Sequence, residues 1–296
     1  MSRSPLTLLS LTGCLAFAAP AAASDVNTSF EFTNLSGQFT LGTFPHEAHF
    51  TNGLALSIGD LSLYTSGFNA WMVPVGSVGT IVFPATMESV DFFLRDQFGS
   101  ANQGICKVFD WDGNVVSMNV STNANWTHIT AGSPGVRIKS IELDNVLGSG
   151  FSVIDDFEAC VGPLLGSNYC SSTAVCQPQG ATISVTGSTS VSLNEFEMIA
   201  GPVPNGGPGL FFRGTAQIAA PFGNGTRCVG GSVYRMGVAT AFGTDDPLVL
   251  RADLSVMPSG GEFLANGTWN FQCWFRDVGC AAGFNLSDGI EVTFSP

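Results

Sequence analysis

No run of ten or more residues in this chain carries a helical stripe, whereas short runs alternating apolar and polar side chains recur along it, closed by Gly, Pro, Asn or Asp. In one, Leu248, Leu250, Ala252, Leu254 and Val256 share a face opposite Arg251, Asp253 and Ser255; in another, Ile290, Val292 and Phe294 oppose Glu291, Thr293 and Ser295. A two-residue period sends successive side chains to opposite faces of a strand, so one face meets a core and the other meets water. Repeated at short intervals between turns, it predicts antiparallel sheets packed face to face. The composition agrees, with 36 glycines and only 11% charged residues, a mixture poor in helix formers and suited to strands joined by turns.

Strands are expected at Ser89–Arg95, Gly104–Asp112, Val115–Val120, Val136–Leu143 and Phe151–Phe157, with Asp112-Gly-Asn114 as a hairpin turn. Further along they are expected at Ala181–Thr186, Val191–Ile199, Leu210–Arg213, Val229–Met236, Leu248–Val256, Trp269–Arg276 and Gly289–Phe294. Between the two sets, Gly162-Pro-Leu-Leu-Gly-Ser-Asn168 reads as a linker. The expected organisation is a signal peptide over 1–23, a first β domain over 25–161, the linker over 162–168 and a second β domain over 169–296.

The leader rests on Arg3, an apolar run from residue 6 to 19, and the small residues Ala21-Ala-Ala-Ser24, which together predict export. Leu11-Thr-Gly-Cys14 also matches a bacterial lipobox, so tethering through Cys14 is the alternative to release. No later segment reaches the roughly 18 uninterrupted apolar residues of a membrane span. Ten basic against twenty-three acidic residues give a net charge of −13, which repels a phosphate backbone and argues against a nucleic-acid partner.

Apart from Cys14 the chain has cysteines at 106, 160, 170, 176, 228, 273 and 280, with no C-x-x-C pair to suggest a zinc ribbon. In an oxidising compartment the expected bridges are Cys106–Cys160, Cys170–Cys228 and Cys273–Cys280, with Cys176 left over. Near the C-terminus, Trp269, Phe271, Cys273 and Phe275 share one face of their strand and read as core, while Trp274 lies on the polar side. Trp274 is expected to pack against a neighbouring loop or the linker.

The second half resembles a β-sandwich module of secreted proteins of planctomycetes and related environmental bacteria. The matching residues are Asn168-Tyr-Cys170, Gly209-Leu-Phe-Phe212, Pro221-Phe-Gly-Asn-Gly-Thr-Arg-Cys-Val-Gly230, Thr268-Trp-Asn-Phe-Gln272, Trp274-Phe-Arg-Asp277 and Phe284-Asn-Leu-Ser-Asp-Gly289. The resemblance implies secretion, a sandwich and a Cys170–Cys228 bridge, and assigns no activity. Cys273 and Cys280 depart from its pattern.

The first half resembles the jelly-roll sandwiches of carbohydrate-binding modules, through Phe30-Glu-Phe32, Ser89–Leu94 and above all Phe151-Ser-Val-Ile-Asp-Asp-Phe157. The fold class expected is therefore all-β, two antiparallel β-sandwich domains in tandem, the first jelly-roll-like. That resemblance implies a structural calcium held by Glu31 and Asp155. Asp155 also has the parity of Phe151, Val153 and Phe157; on a regular strand its carboxylate would point at apolar neighbours, a position that a hard cation makes tolerable.

Catalytic motifs are weak. His46 and His49 are three apart and lack H-E-x-x-H geometry, His128 is the other histidine, and no G-x-S-x-G elbow is present. Asp91, Asp110, Asp112, Glu142, Asp144, Asp155, Asp156 and Glu158 are numerous enough to supply a glycosidase pair, but nothing in the sequence selects one. Trp71, Trp111 and Trp126 stand beside turn residues, where an indole face can stack on a sugar ring. The N-x-S/T sites read as turn composition. The expected function is a secreted, non-enzymatic binding protein for extracellular carbohydrate or a cell-surface component. The alternatives are a structural envelope or matrix protein and, third, a polysaccharide-degrading enzyme.

Overall fold

The computed structural model describes residues 36–40, 47–51, 54–56, 70–96, 104–120, 126–132, 135–146, 151–160, 164–173, 180–204, 206–241, 247–256 and 259–296. The leader with Cys14, Glu31, His46 and Cys176 lie outside the described residues, as do the side chains of His49, Trp71, Asp155 and Cys160.

The described residues are all-β. The first half contains β1 (Ser36–Thr40), β2 (Glu47–Thr51), β3 (Leu54–Leu56), β4 (Ala70–Pro74), β5 (Val78–Met87), β6 (Ser89–Asp96), β7 (Ile105–Asp110), β8 (Val115–Val120), β9 (Thr127–Gly132), β10 (Ile138–Asp144) and β11 (Phe151–Cys160). They form a six-stranded sheet ordered β1-β2-β5-β10-β7-β8 and a five-stranded sheet ordered β3-β4-β11-β6-β9. The two enclose a core that includes Ile81, Phe83, Phe92, Leu94, Val108, Ile141 and Ile154. The Asp112-Gly-Asn114 turn closes the β7–β8 hairpin, with Gly113 at φ 84° and the Asp110 carboxylate accepting hydrogen bonds from the Asp112 and Asn114 amides.

The second half contains β12 (Ser167–Tyr169), β13 (Thr182–Gly187), β14 (Phe196–Gly201), β15 (Pro208–Phe222), β16 (Gly225–Thr240), β17 (Leu248–Ala252), β18 (Thr268–Arg276), β19 (Phe284–Leu286) and β20 (Gly289–Thr293). Strands β12-β20-β18-β15-β16 form one sheet, with β19 on β18, and β13-β14-β17 form the other. All the ladders are antiparallel in both halves, which makes the molecule a pair of β-sandwiches. Trp269, Phe271, Cys273 and Phe275 do point into the second core, beside Phe196, Phe263 and Phe294. Arg213 is also fully buried there, between the rings of Phe263 (3.8 Å) and Trp269 (4.0 Å), and burial lowers its guanidinium to about 10.

The structure corrects several expectations. Leu254 and Val256 fall beyond β17, and Val256 is 74% exposed, because the chain turns at Asp253. Val191 lies outside a strand, since the chain is still turning there and β14 begins only at Phe196. The short strands expected around Leu210 and Val229 are parts of one long β15–β16 hairpin in which Thr215–Phe222 are exposed or half-buried on both faces and Cys228–Gly230 are buried in a block, so no apolar alternation marks its length. On β11 the core-facing residue is Ile154, whereas Val153 pairs with Arg95 and is buried on the opposite face. A central strand covered on both sides hides which parity faces the core. The register runs unbroken from Ser152 to Asp155 and shifts only between Asp155 and Glu158, so it is Phe157 whose place in the assumed alternation is lost.

Of the expected bridges, Cys170–Cys228 forms. Cys106–Cys160 does not: Cys106 is a buried free thiol on β7, whereas Cys160 ends β11 in the facing sheet. Cys273–Cys280 does not form either. Cys273 is a free thiol aimed into the core from mid-strand, and Cys280, in the turn beyond β18, is disulfide-bonded elsewhere. Burial, followed by the charge of Glu142, pushes the Cys106 thiol up to about 12, and burial pushes Cys273 up as well. Iodoacetamide should therefore leave both thiols unlabelled in the native protein and label both after denaturation without reductant. Mass mapping of the denatured sample reads this, and protection persisting there would place both in disulfides.

Four residues of the motifs that carry the resemblance of the second half, Asn168, Tyr169, Gln272 and Asp288, form a polar knot around the disulfide. Gln272 donates to the carbonyls of Thr226 and Ser287 while its side-chain oxygen accepts from the Cys228 amide. The Asp288 carboxylate accepts from the Ile183 amide and from Asn168 Nδ2, and Tyr169 donates its hydroxyl proton to the Cys228 carbonyl. These polar residues sit inside because each has partners there, as burial of a polar group requires. They hold the fold together and line no open site.

Candidate functional site on the outer face of strands 6 and 9

Strand β6 turns Val90, Phe92 and Leu94 to the core, which leaves Asp91, Phe93 and Arg95 on its outer side. Edge strand β9 turns Ile129 and Ala131 inward, so His128 and Thr130 face outward with Trp126 just before them. Antiparallel register sets Asp91 opposite Thr130 and Phe93 opposite His128, close enough for their side chains to interact. Asp91 Oδ1 lies 2.6 Å from His128 Nε2, and Thr130 Oγ1 donates to Asp91 Oδ2 at 2.8 Å. The His128 ring stacks on Phe93 with centroids 4.7 Å apart. Arg95, almost wholly buried, lies 5.7 Å from the centre of the Trp126 ring, and among the described residues its Nε has no hydrogen-bond partner. The result is a half-exposed strip of rings alternating with fixed donors and acceptors.

Of the tryptophans singled out in the sequence, only Trp126 stands on this strip with its side chain described. The backbone of Trp71 pairs with Ile154. Trp111 lies at the joint between the two sandwiches, where Arg251 covers one face of its ring at 3.4 Å and donates to Asp112 at 2.7 Å. That contact removes this face from any ligand. Sequence reading missed Arg95 and Phe93 as part of the strip. The alternation of Ser89–Arg95 contained the signal, since it leaves these side chains on the face away from the core.

The acids considered for catalysis are mostly engaged. Asp110 binds its own turn, and although partial burial opposes it, the hydrogen bonds from Asn114, Asp112 and Gly113 hold its carboxyl below the usual range. Asp112 binds Arg251, Glu142 binds Lys107 at 2.9 Å, and Asp144 accepts from the Val146 amide. The side chains of Asp155, Asp156 and Glu158 lie outside the described residues. Asp91 and His128 form a dyad, but the hydroxyl beside it, on Thr130, donates to Asp91 and so does not supply a histidine-activated nucleophile. Among the described residues no group of three or more His, Cys, Asp or Glu side chains converges as a metal site. Backbone register sets Asp155 opposite Phe93, on the strand beside this strip.

No family model matches the chain, and no curated protein matches it. Among solved structures, one similar chain is TmCBM61 in complex with β-1,4-galactotriose, at 16% identity and a TM-score of 0.27, with 39% of this chain and 87% of that one covered. Another is the CBM22-1–CBM22-2 tandem domain of Paenibacillus barcinonensis Xyn10C, at 9% identity and a TM-score of 0.20, with 92% and 89% covered. A third is the β-1,2-glucanase of Parabacteroides distasonis, at 9% identity and a TM-score of 0.24, with 85% and 37% covered. At such scores none of them assigns a role to a residue of this chain.

Proposed function

We propose that this is an exported, non-enzymatic protein that binds extracellular carbohydrate through the outer face of β6 and β9. The observation that carries the proposal is the strip itself: Trp126 and the Phe93–His128 stack offer ring faces, Asp91 and Thr130 offer placed hydrogen-bonding groups between them, and the buried Arg95 lies behind Trp126. Sugar rings present apolar faces edged by hydroxyls, and recognition of such a ligand calls for this alternation. Binding rather than turnover is favoured because the described acids are held by partners within the fold. Export is supported by the leader pattern together with the Cys170–Cys228 bridge, which suits an oxidising compartment. A calcium ion held by Glu31 and Asp155 belongs to the same proposal, as a stabiliser of the first sandwich.

The test is a glycan and polysaccharide array with residues 25–296, run with calcium and with EDTA. Saturable binding to one glycan class is expected, weakened roughly 30-fold by Trp126→Ala, the scale of one aromatic anchor. Lower signal and a lower melting temperature in EDTA would support the ion. Silence from folded protein would move the assignment to a structural envelope role, and release of reducing sugar would make the protein an enzyme.

A further inference from the structure

The outer face of the β15–β16–β18 sheet carries an open groove of about 680 Å³, within the range of small-ligand sites. Trp274, Phe212 and Phe222 supply its rings, and Leu286 with the aliphatic side chains of β16 completes an apolar surface. Trp274 packs on Phe284 at 5.5 Å and Phe284 on Phe222 at 5.2 Å, so the aromatic wall is continuous, yet Phe222 remains 47% exposed. This is where Trp274 goes, with the β19 segment rather than the linker as its neighbour.

The polar side chains of the groove are Arg227 and Arg235, with Arg276 placed 5.3 Å from the Trp274 ring centre. The chain has only ten basic residues and a net charge of −13, and two of those ten line the groove while a third stands beside Trp274. None has a carboxylate partner among the described residues, and Arg227 uses Nε to hold the Val229 carbonyl, which fixes its guanidinium in place. No hydroxyl, amide or carboxylate side chain lines the groove among the described residues. A sugar needs acceptors as well as donors around its hydroxyls. This surface has an apolar floor and cationic donors alone.

We propose that the groove is a second binding site, for a free amphiphilic organic anion: an apolar chain or ring ending in one carboxylate, with the body on Trp274, Phe212 and Phe222 and the carboxylate on Arg235, which pairs across the ladder with Phe212. Charge complementarity selects this occupant. A second copy docked about a two-fold axis would bring like guanidinium groups together, which is costly. The site lies in the opposite sandwich from the β6–β9 strip, so the two proposals stand or fall separately.

The test uses 8-anilinonaphthalene-1-sulfonate fluorescence on the folded full chain, with displacement by decanoate and by the neutral decyl maltoside below its micelle concentration. Saturable dye binding is expected, displaced by decanoate and much less by the maltoside. Arg235→Ala should weaken decanoate about tenfold, as loss of one charged hydrogen bond does, and Phe222→Ser should abolish dye binding with circular dichroism unchanged. Lys107→Ala, outside the groove, should leave both unaffected. Equal displacement by the neutral competitor, or unchanged decanoate affinity in Arg235→Ala, would overturn the anion assignment. Sedimentation with anionic phosphatidylglycerol vesicles without affinity for monomeric decanoate would make the face a membrane surface. A concentration-dependent dimer abolished by Phe222→Ser, again without decanoate binding, would make it a self-association face.

Discussion

Glu197→Ala should cost about 3–5 kcal/mol of stability, the range for removing one partner of a buried charged network. Glu197 lies on β14 of the second sandwich, almost wholly buried, and Oε1 accepts from both the amide (2.9 Å) and the hydroxyl (3.0 Å) of Thr86 in the first. Arg137, also buried, donates to the Thr86 hydroxyl and carbonyl and to the Thr186 hydroxyl. Burial lowers the Arg137 guanidinium, and the charges of Glu197, Glu88 and Glu195 oppose that shift. Removing the Glu197 carboxylate leaves two Thr86 donors without this acceptor and takes away the nearest of these compensating charges. Because the two cores are separate clusters, this network, with the Arg251 contact to Trp111 and Asp112, ties one half to the other. Urea unfolding followed by calorimetry reads the result: one transition in the parent protein, and a lower, split transition in Glu197→Ala. A Thr86→Val and Glu197→Ala double-mutant cycle isolates the pair. A single transition at the parent midpoint would show that Glu197 does not join the sandwiches.

Removing the Cys170–Cys228 bridge should cost about 4 kcal/mol, the loop-closure entropy released when a span of 58 residues is freed in the unfolded chain. The Cys170→Ala/Cys228→Ala protein should melt lower by on the order of 10 °C in its second sandwich, with the first changed far less. Differential scanning calorimetry with and without reductant measures this. The bridge sits amid Tyr169, Gln272 and Asp288, whose hydrogen bonds use no sulfur atom. An unchanged midpoint would mean that this polar knot alone supplies the restraint.

Particular residues mark how far the sequence could be read. The alternation of Ser89–Arg95 placed Phe92 and Leu94 in the core, and Asp112-Gly-Asn114 placed the hairpin, because each pattern acts over neighbouring residues. The same reading could not say whether Val153 or Ile154 meets the sandwich core, since β11 is buried on both faces and its parity carries no contrast. It shortened the β15–β16 hairpin, because burial there runs in blocks along each strand and not in alternation. It placed Trp126 among three equivalent tryptophans, because distance in the chain says nothing about which ring neighbours an arginine and which is covered by one.

The amino-acid order was enough to establish an all-β chain of sandwich type, its acidic character and the strands of its cores, since period, turn chemistry and charge are local or summed properties. The assembled sheets alone revealed the thiols that stay free, the Asp91–His128 contact, the Thr86–Glu197 tie and the arginine-edged groove. Thr86 and Glu197 are 111 residues apart, and only the pairing and packing of strands brings such residues within bonding distance.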